Sequence, residues 1–235
     1  YVVSARKSPV SGAEIGDIAA TSFRFVDADG ATKVAHCSIP MRAAGVSVEH
    51  TWDTLGLRAT GSHTVVYRDV FVADAQISLI RPADQWHPVW NAILGVALPL
   101  IMSAYMGIAD RAVAVTVEAV RERDDIASHQ LLGEMLNAQL AASDAIAAMY
   151  RDSDNLQFAN TDAHGARILA RKTTAAEKVI ETVRLALECV GGRAFMRTSE
   201  LERLYRDVHG CLYHPLPRAK QTMFSGRVLA GLSPI

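Results

Sequence analysis

The sequence predicts an α+β protein, in which an antiparallel β-barrel domain precedes an up-down four-helix bundle. Residues 1–84 carry short runs rich in Val, Ile, Thr and Phe, separated by turn signals such as DADG at residues 27–30. This pattern is typical of strands joined by hairpins. From residue 85 the apolar residues recur at three- and four-residue spacing over long stretches, which is typical of amphipathic helices. We therefore predict two domains, residues 1–84 and residues 85–235.

The individual elements follow from the same patterns. Strands are predicted over residues 18–26, 33–39, 46–48 and 64–72, as a small barrel or the larger part of one. Helices are predicted over residues 88–123, 128–151, 163–190, 199–208 and 217–229, with a possible kink at Pro99. The third helix is expected to end at Gly191-Gly192, because glycine is favoured just beyond a helix C-terminus.

Composition excludes several classes of protein. With 24 basic and 25 acidic side chains the formal charge is −1, so no basic excess exists to bind nucleic acid electrostatically. Half of the residues are hydrophobic, which is too many for a disordered chain. Three widely spaced cysteines indicate neither a disulfide framework nor a zinc site. These features favour a cytoplasmic protein without a metal.

One apolar stretch raises the question of a membrane. AILGVALPLIMSAYMGIA, at residues 92–109, comes near the roughly 18 apolar residues that a membrane helix needs. It contains proline, glycine and serine and continues into the amphipathic RAVAVTVEAVRER. We interpret it as a helix buried in a protein bundle. The start of the chain lacks the charged and apolar regions of a signal peptide.

Two segments could carry chemistry. TWDTLGLRATGSHTVVYRDVFVADAQI, at residues 51–77, is a loop rich in Gly, Ser and Thr that leads into a strand. ECVGGRAFMRTSELERLYRDV, at residues 188–208, breaks a helix with two glycines beside several arginines, which can pair with phosphate or carboxylate. Taken alone, each segment also fits an ordinary connection.

Together these motifs resemble the acyl-CoA dehydrogenase superfamily of flavoproteins. WDTLGLRATGSHTVVYRDVFV is similar to the signature of that family's middle β domain, and ECVGGRAFMRTSELERLYRD to its C-terminal signature. YVVSARKSPVSGA resembles the strand and loop that end in its flavin-contacting W-x-[ST] element. The resemblance implies the middle β-barrel, N-terminally incomplete, followed by a C-terminal bundle that binds FAD and forms a homodimer or homotetramer. The family's N-terminal helical domain would then be missing.

The resemblance also assigns site residues. Ser11 matches the hydroxyl that the family places beside the flavin, although Pro9 replaces the aromatic residue. The family's Q-x-x-G-G, which approaches the FAD of a neighbouring subunit, aligns with Glu188, Gly191 and Gly192. The arginine and glutamine that reach the partner's FAD fall at the following positions: Arg121 or Arg123, and Gln130.

The catalytic base departs from the family pattern. Dehydrogenases of this family need a carboxylate to remove the α-proton of an acyl-CoA thioester. The two family positions for it carry Pro215 and Asn91 here. His214 stands beside the first, and a histidine there is similar to flavin-dependent monooxygenases of the same fold, in which a hydroxyl or imidazole assists the reaction of reduced flavin with oxygen. His214 and Ser11 would be the catalytic candidates.

Three functions remain open on the sequence alone. One is acyl-CoA dehydrogenation with FAD and an electron-transfer partner. The second is oxygenation of an aromatic or hydrophobic compound with FAD, or with reduced FMN from a flavin reductase. The third is a subunit without catalytic activity. The small-molecule substrate itself is not encoded in any motif.

Overall fold

A computed structural model describes all 235 residues of the chain. They form two compact units, Tyr1–Gln85 and Trp86–Ile235. The first unit consists of strands and loops and the second of helices. The α+β class predicted from the sequence is confirmed.

The first unit contains two three-stranded antiparallel sheets. Its strands are β1 (Val2–Lys7), β2 (Ile18–Val26), β3 (Thr32–Pro40), β4 (Val46–Glu49), β5 (Thr64–Phe71) and β6 (Ile77–Pro82). The strand orders are β1-β5-β4 and β2-β3-β6, so the ladders form two sheets and not one continuous barrel wall. The sequence pattern did not identify β6, which is short and ends in proline.

Local chemistry explains the hairpin between β2 and β3. Asp27 accepts hydrogen bonds from the backbone N–H groups of Asp29 (3.0 Å) and Ala31 (2.8 Å). Gly30 has a φ of +80°, which glycine adopts without strain. The apolar side chains that alternate along the strands then bury a common core, which includes Val3, Cys37, Ile39, Val65, Tyr67 and Val70.

The second unit is built around its third helix. The helices are α1 (Val89–Val120), α2 (Ile126–Ser153), α3 (Asp162–Val190), α4 (Glu200–Val208) and α5 (Arg218–Leu229). α3 packs against each of the other four. Pro99 lies inside α1, which continues through it as a single helix. α3 ends at Gly191, whose φ is +81°.

α1 is the one helix that is long and apolar enough to cross a membrane by length and composition. Within the unit, 39% of its most apolar window is buried. Leu94, Leu98, Met102, Ala109 and Ala112 on its inner face are buried. A core helix of a bundle shows the same length and composition.

Candidate functional site

His214 lies in the helical unit, in the segment between α4 and α5, and contacts α1. Its Nε2 atom is 2.8 Å from the hydroxyl oxygen of Tyr105. The two rings meet edge to face, with centroids 5.4 Å apart. Tyr105 is 4% exposed, whereas His214 is half-buried. The segment thus presents an imidazole that is anchored at one nitrogen.

Lys172 of α3 contacts the same segment through its buried ammonium group. It is 2% exposed, and its ammonium group donates hydrogen bonds to the backbone carbonyls of His214 (3.0 Å) and Leu216 (3.5 Å). It forms no ion pair. Burial lowers the pKa of Lys172, because a charged ammonium is costly away from water. Burial also raises the pKa of the neighbouring Cys211 thiol to about 12.

The electrostatics of this cluster favour neutral groups. Burial, and secondly the charge of Lys172, lower the pKa of His214. Burial raises the pKa of Tyr105. At neutral pH the pair is therefore an uncharged imidazole and an uncharged phenol. Such a pair can donate or accept a hydrogen bond at the imidazole without placing a net charge in the site.

Asn91, at one of the positions where the family resemblance expects a carboxylate, is fully buried. Its side-chain oxygen accepts a hydrogen bond from Trp86 Nε1 (3.0 Å), and its side-chain nitrogen donates to Asp162 (2.8 Å). Both ends of the amide are occupied. Asn91 therefore joins α1 to α3 and offers no base. Pro215, at the other position, is exposed.

Ser11 lies in the β unit, at one end of a row of hydroxyl groups. Its oxygen is 2.9 Å from the hydroxyl of Ser62, which is 2.9 Å from that of Thr60. Ser62 is buried and Ser11 is exposed. Thr60 donates to the carbonyl of Leu57 at 2.9 Å, so Ser62 donates to Thr60 and Ser11 donates to Ser62. Ser11 therefore presents its oxygen outward as an acceptor. Its place beside the flavin stays a prediction.

The predicted arginines share a cleft at the C-terminal end of α1. This cleft has a volume of about 320 Å³ and is lined by Glu118, Ala119, Arg121, Glu122, Arg123 and Arg193. Arg121 pairs with Glu118. Arg123 donates to the carbonyls of Cys189 (2.8 Å) and Val190 (3.2 Å), so it caps the end of α3 beside Gly191 and Gly192. The guanidinium group of Arg193 forms neither a hydrogen bond nor an ion pair.

The two other side chains that were predicted to contact the cofactor form hydrogen bonds within their own helices. Gln130 is exposed and donates to Glu134, at 3.3 Å along the same helix. Glu188 pairs with Arg184, at 2.5 Å one helical turn earlier. Within one chain neither side chain contacts the arginine cleft. Their assignment to a flavin stays a prediction.

A group that sequence reasoning missed lies in the β unit. Ligand-type atoms of Glu14, His50 and His63 lie within 4.8 Å of one another. However, His63 Nδ1 accepts the backbone N–H of Trp52 at 3.1 Å, so the proton of the neutral ring sits on Nε2. A metal-bound histidine normally donates from its second nitrogen. The arrangement is that of a hydrogen-bonded group, with Nε2 directed at Glu14, 3.7 Å away.

Sequence reasoning also missed Tyr105 and Lys172. A signal for Lys172 exists, because it follows Ile168 and Leu169 and precedes Ala175 and Ala176 at helical spacing. That spacing places the lysine on the buried face of α3. A lysine on such a face indicates a special environment. Tyr105 carries no such signal, since an aromatic residue on a core face is ordinary.

Comparison with known proteins identifies the family of the chain. Residues 89–211, more than half of its length, match the family described as acyl-CoA dehydrogenase, C-terminal domain. The chain belongs to the acyl-CoA dehydrogenase family. This match covers α1 to α4 and therefore includes both Tyr105 and Lys172.

Relatives within the acyl-CoA dehydrogenase family extend over both units. Isobutylamine N-hydroxylase of Streptomyces viridifaciens is 27% identical over 94% of this chain and 57% of its own length. The crystal structure of a nitrososynthase from Micromonospora carbonacea var. africana has a TM-score of 0.90 and 26% identity, over 98% of this chain and 61% of that one. The structure of XiaF from Streptomyces sp. in complex with FADH2 and glycerol has a TM-score of 0.83 and 26% identity, covering all of this chain and 65% of that one. The chain thus spans less than two thirds of each.

Proposed function

We propose that this protein is a flavin-dependent monooxygenase that hydroxylates a small molecule, with an amine nitrogen as the favoured acceptor. The observation that carries the proposal is the neutral His214–Tyr105 pair, at a place where the dehydrogenases of the family would need a carboxylate. Asn91 and Pro215 supply no base. The names of the similar N-hydroxylase and nitrososynthase support an amine substrate, and the reduced flavin bound to XiaF supports the cofactor.

The overall reaction balances with oxygen and reduced flavin as co-reactants. When bound, reduced flavin supplies two electrons and leaves oxidised. One atom of O2 is inserted into an N–H bond of the amine to give a hydroxylamine, and the other leaves as water. In this reaction the neutral imidazole of His214 would donate a hydrogen bond to the reacting oxygen. The Lys172 ammonium holds the backbone that carries it.

The chain offers groups that fit a phosphate-bearing flavin. The arginine cleft sets three guanidinium groups against two carboxylates, and guanidinium groups pair well with phosphate. Arg193 and Arg121 would hold the phosphate, beside the open backbone at Gly191 and Gly192. Ser11 keeps its predicted place beside a flavin ring, where its oxygen would accept a hydrogen bond. FAD and reduced FMN both carry a phosphate that the guanidinium groups would hold.

Acyl-CoA dehydrogenation is the second candidate, and the family match over residues 89–211 favours it. The two reactions need different groups beside the flavin. A dehydrogenase needs a basic carboxylate, whereas the proposed oxygenation needs a neutral hydrogen-bond donor. Assays for thioester dehydrogenation and for amine hydroxylation therefore distinguish the two candidates.

The decisive experiment supplies the protein with each set of co-reactants. With bound FAD and no oxygen, a panel of acyl-CoA thioesters should leave the flavin absorbance unchanged. With reduced FAD or FMN and oxygen, a panel of primary amines should yield products that have gained one oxygen atom, detected by mass spectrometry. Bleaching of FAD by a thioester would overturn the proposal in favour of dehydrogenation. Failure to bind either flavin would indicate a subunit without catalysis.

A matched pair of variants ties the activity to His214. His214→Gln should lower hydroxylation by roughly 100-fold, since the loss of one placed hydrogen-bond donor commonly costs about 10²–10³-fold. His209→Gln is the control, because His209 lies five residues earlier and bonds only locally, from Nδ1 to the carbonyl of Tyr205 at 2.6 Å. Equal activity of the two variants would remove His214 from the reaction.

Partners and location belong to the same proposal. A homodimer or homotetramer would complete the flavin site, and a flavin reductase would supply the reduced cofactor. All three cysteines are unpaired and buried, which suits the reducing cytoplasm.

A further inference from the structure

The hydroxyl group of Tyr105 determines which nitrogen of His214 carries the proton. Tyr105 is 4% exposed, and its hydroxyl has a single hydrogen-bond partner, His214 Nε2 at 2.8 Å. A buried hydroxyl proton is costly to leave without an acceptor. If the hydroxyl accepted a bond from Nε2–H, its own proton would have none. Tyr105 therefore donates to Nε2.

That direction leaves the proton of the neutral ring on Nδ1. The titratable groups around the His214–Tyr105 pair are Tyr105 from α1, Lys172 from α3, Cys211 from the turn after α4 and Asp207 from α4, whose charge acts on Tyr105. No carboxylate forms an ion pair with His214. Burial and the charge of Lys172 disfavour a charged imidazole, so the ring is neutral and has one N–H.

The Nδ1 atom is also the accessible one. It has no hydrogen-bond partner in the chain, and it is not among the buried unpartnered atoms, which are Thr116 Oγ1, His164 Nε2 and Thr173 Oγ1. Lys172 holds the carbonyls on both sides of Pro215, which fixes the backbone from which the ring projects. The Nδ1–H bond is thus partly accessible and projects from a backbone that is held in place.

We infer that Tyr105 is a positioning residue that locks His214 in the Nδ1–H tautomer, so that His214 presents Nδ1–H to the substrate as a hydrogen-bond donor. This inference rests on the proposed function for its chemical meaning. The tautomer itself is a property of the chain and does not depend on turnover. Its test can therefore be separated from the test of the activity.

The experiment is ¹⁵N NMR of the side chains in protein labelled at histidine. The His214 resonances are assigned by their loss in His214→Gln, and the protonated nitrogen is read from its shift and its coupling to ring protons. In the unaltered protein at neutral pH we expect Nδ1–H. In Tyr105→Phe we expect Nε2–H or exchange between the two forms. Tyr150→Phe is the control, because it removes a tyrosine hydroxyl that bonds elsewhere, to Ser103 at 3.1 Å.

The possible results test the tautomer and its role in the reaction separately. Nε2–H in the unaltered protein would overturn the inference whatever the activity, and this outcome does not depend on the folding of Tyr105→Phe. An unchanged tautomer in folded Tyr105→Phe would overturn it as well. With the tautomer confirmed, hydroxylation should fall at least roughly tenfold in Tyr105→Phe, because the donor is then misplaced. Nδ1–H together with full activity of His214→Gln would leave the tautomer standing and overturn its role in the reaction.

Discussion

At the scale of single residues, His164 is the most unusual side chain outside the candidate site. It is 2% exposed and stacks on Phe158, with ring centroids 4.3 Å apart and planes 8° from parallel. Its Nε2 atom is buried without a partner. Burial, and secondly the charge of Arg167, lower the pKa of His164. The folded chain therefore holds this ring neutral.

We predict that His164 makes the protein sensitive to mild acid. In the unfolded chain histidine titrates near about 6.5, while the pKa of His164 in the folded chain lies lower. Between these two values the unfolded state binds more protons, so the free energy of unfolding decreases as the pH falls. The slope from one such group is at most about 1.4 kcal/mol per pH unit.

Urea unfolding followed by circular dichroism, from about pH 7.5 to about pH 5, measures this effect. His164→Phe should flatten the dependence, because phenylalanine does not titrate. His129→Phe should leave it nearly unchanged, since the His129 side chain is 57% exposed. A slope unaffected by His164→Phe would contradict the prediction.

At the scale of elements, the close approach of α1 and α3 depends on small residues. A Cβ atom on Gly165 of α3 would lie 2.4 Å from the side-chain oxygen of Asn91 on α1. That oxygen already accepts a hydrogen bond from Trp86. A methyl group at this position would therefore separate the helices and break the bond.

We predict that Gly165→Ala destabilises the protein by about 1–3 kcal/mol, as overpacking usually does. Gly107→Ala is the control, because Gly107 is also inside a helix and a Cβ there meets nothing within 4 Å. Alanine should raise stability at that position by about 0.5–1 kcal/mol through its higher helix propensity. The midpoint of denaturant unfolding measures both. Equal shifts in the two variants would contradict this account of the packing.

Two arginines near the end of α3 differ in their contacts. Arg123 is occupied with the last carbonyls of α3, whereas Arg193 is unpaired in the same cleft. We predict that Arg123→Gln lowers the unfolding free energy by about 1 kcal/mol, the usual value of a helix cap. Arg193→Gln should leave stability unchanged and weaken flavin binding at least roughly tenfold, as the loss of one charged hydrogen bond does.

Two measurements together test this division. Thermal unfolding reports on stability, and titration with FAD, followed by quenching of flavin fluorescence, reports on affinity. Loss of stability in Arg193→Gln, or unchanged FAD affinity in that variant, would contradict the proposed role of the cleft.

At the scale of the whole molecule, the helical unit leaves apolar side chains exposed. On α1 they are Ile93, Val96 and Leu100, which recur at three- and four-residue spacing, and on α2 they are Leu136 and Leu140. Each of these side chains is between 41% and 61% exposed. The three residues on α1 form one exposed apolar stripe, and a stripe of this kind indicates a surface that another subunit covers.

We predict that the protein self-associates through this surface. Analytical ultracentrifugation should show a dimer or tetramer, and Leu100→Glu should shift the distribution towards the monomer because a charge is costly to bury. Val26→Glu is the control, since Val26 is an exposed apolar residue of the β unit, at 65%. A monomer at all concentrations would refute the prediction.

Much of this fold could be predicted from the pattern of residues. The five helices lie within three residues of their predicted bounds, because apolar spacing, Gly191 and polar cap residues mark their faces and ends. The long β2–β3 hairpin follows from DADG. β6 was missed, because six residues with one buried face carry too few alternations to distinguish a strand from a loop.

The candidate site was predicted only in part. His214 was singled out by its place in a motif. Arg121 and Arg123, which the resemblance assigned to a partner's FAD, line one cleft, and that assignment stays a prediction. Tyr105 and Lys172, the two side chains that contact the His214 segment, were not found. They lie 109 and 42 residues from it along the chain, so the local spacing of residues cannot predict the contact.

The sequence by itself determined the α+β class, the positions of the helices, the family and the absence of a carboxylate at Asn91 and Pro215. These depend on side-chain type and local periodicity, which can be read directly from the order of the residues. Only the tertiary structure decided that Lys172 is buried beneath the His214 segment and that the only partner of the Tyr105 hydroxyl is His214 Nε2. The state of a titratable group depends on what surrounds it in space, and packing brings those neighbours from distant helices.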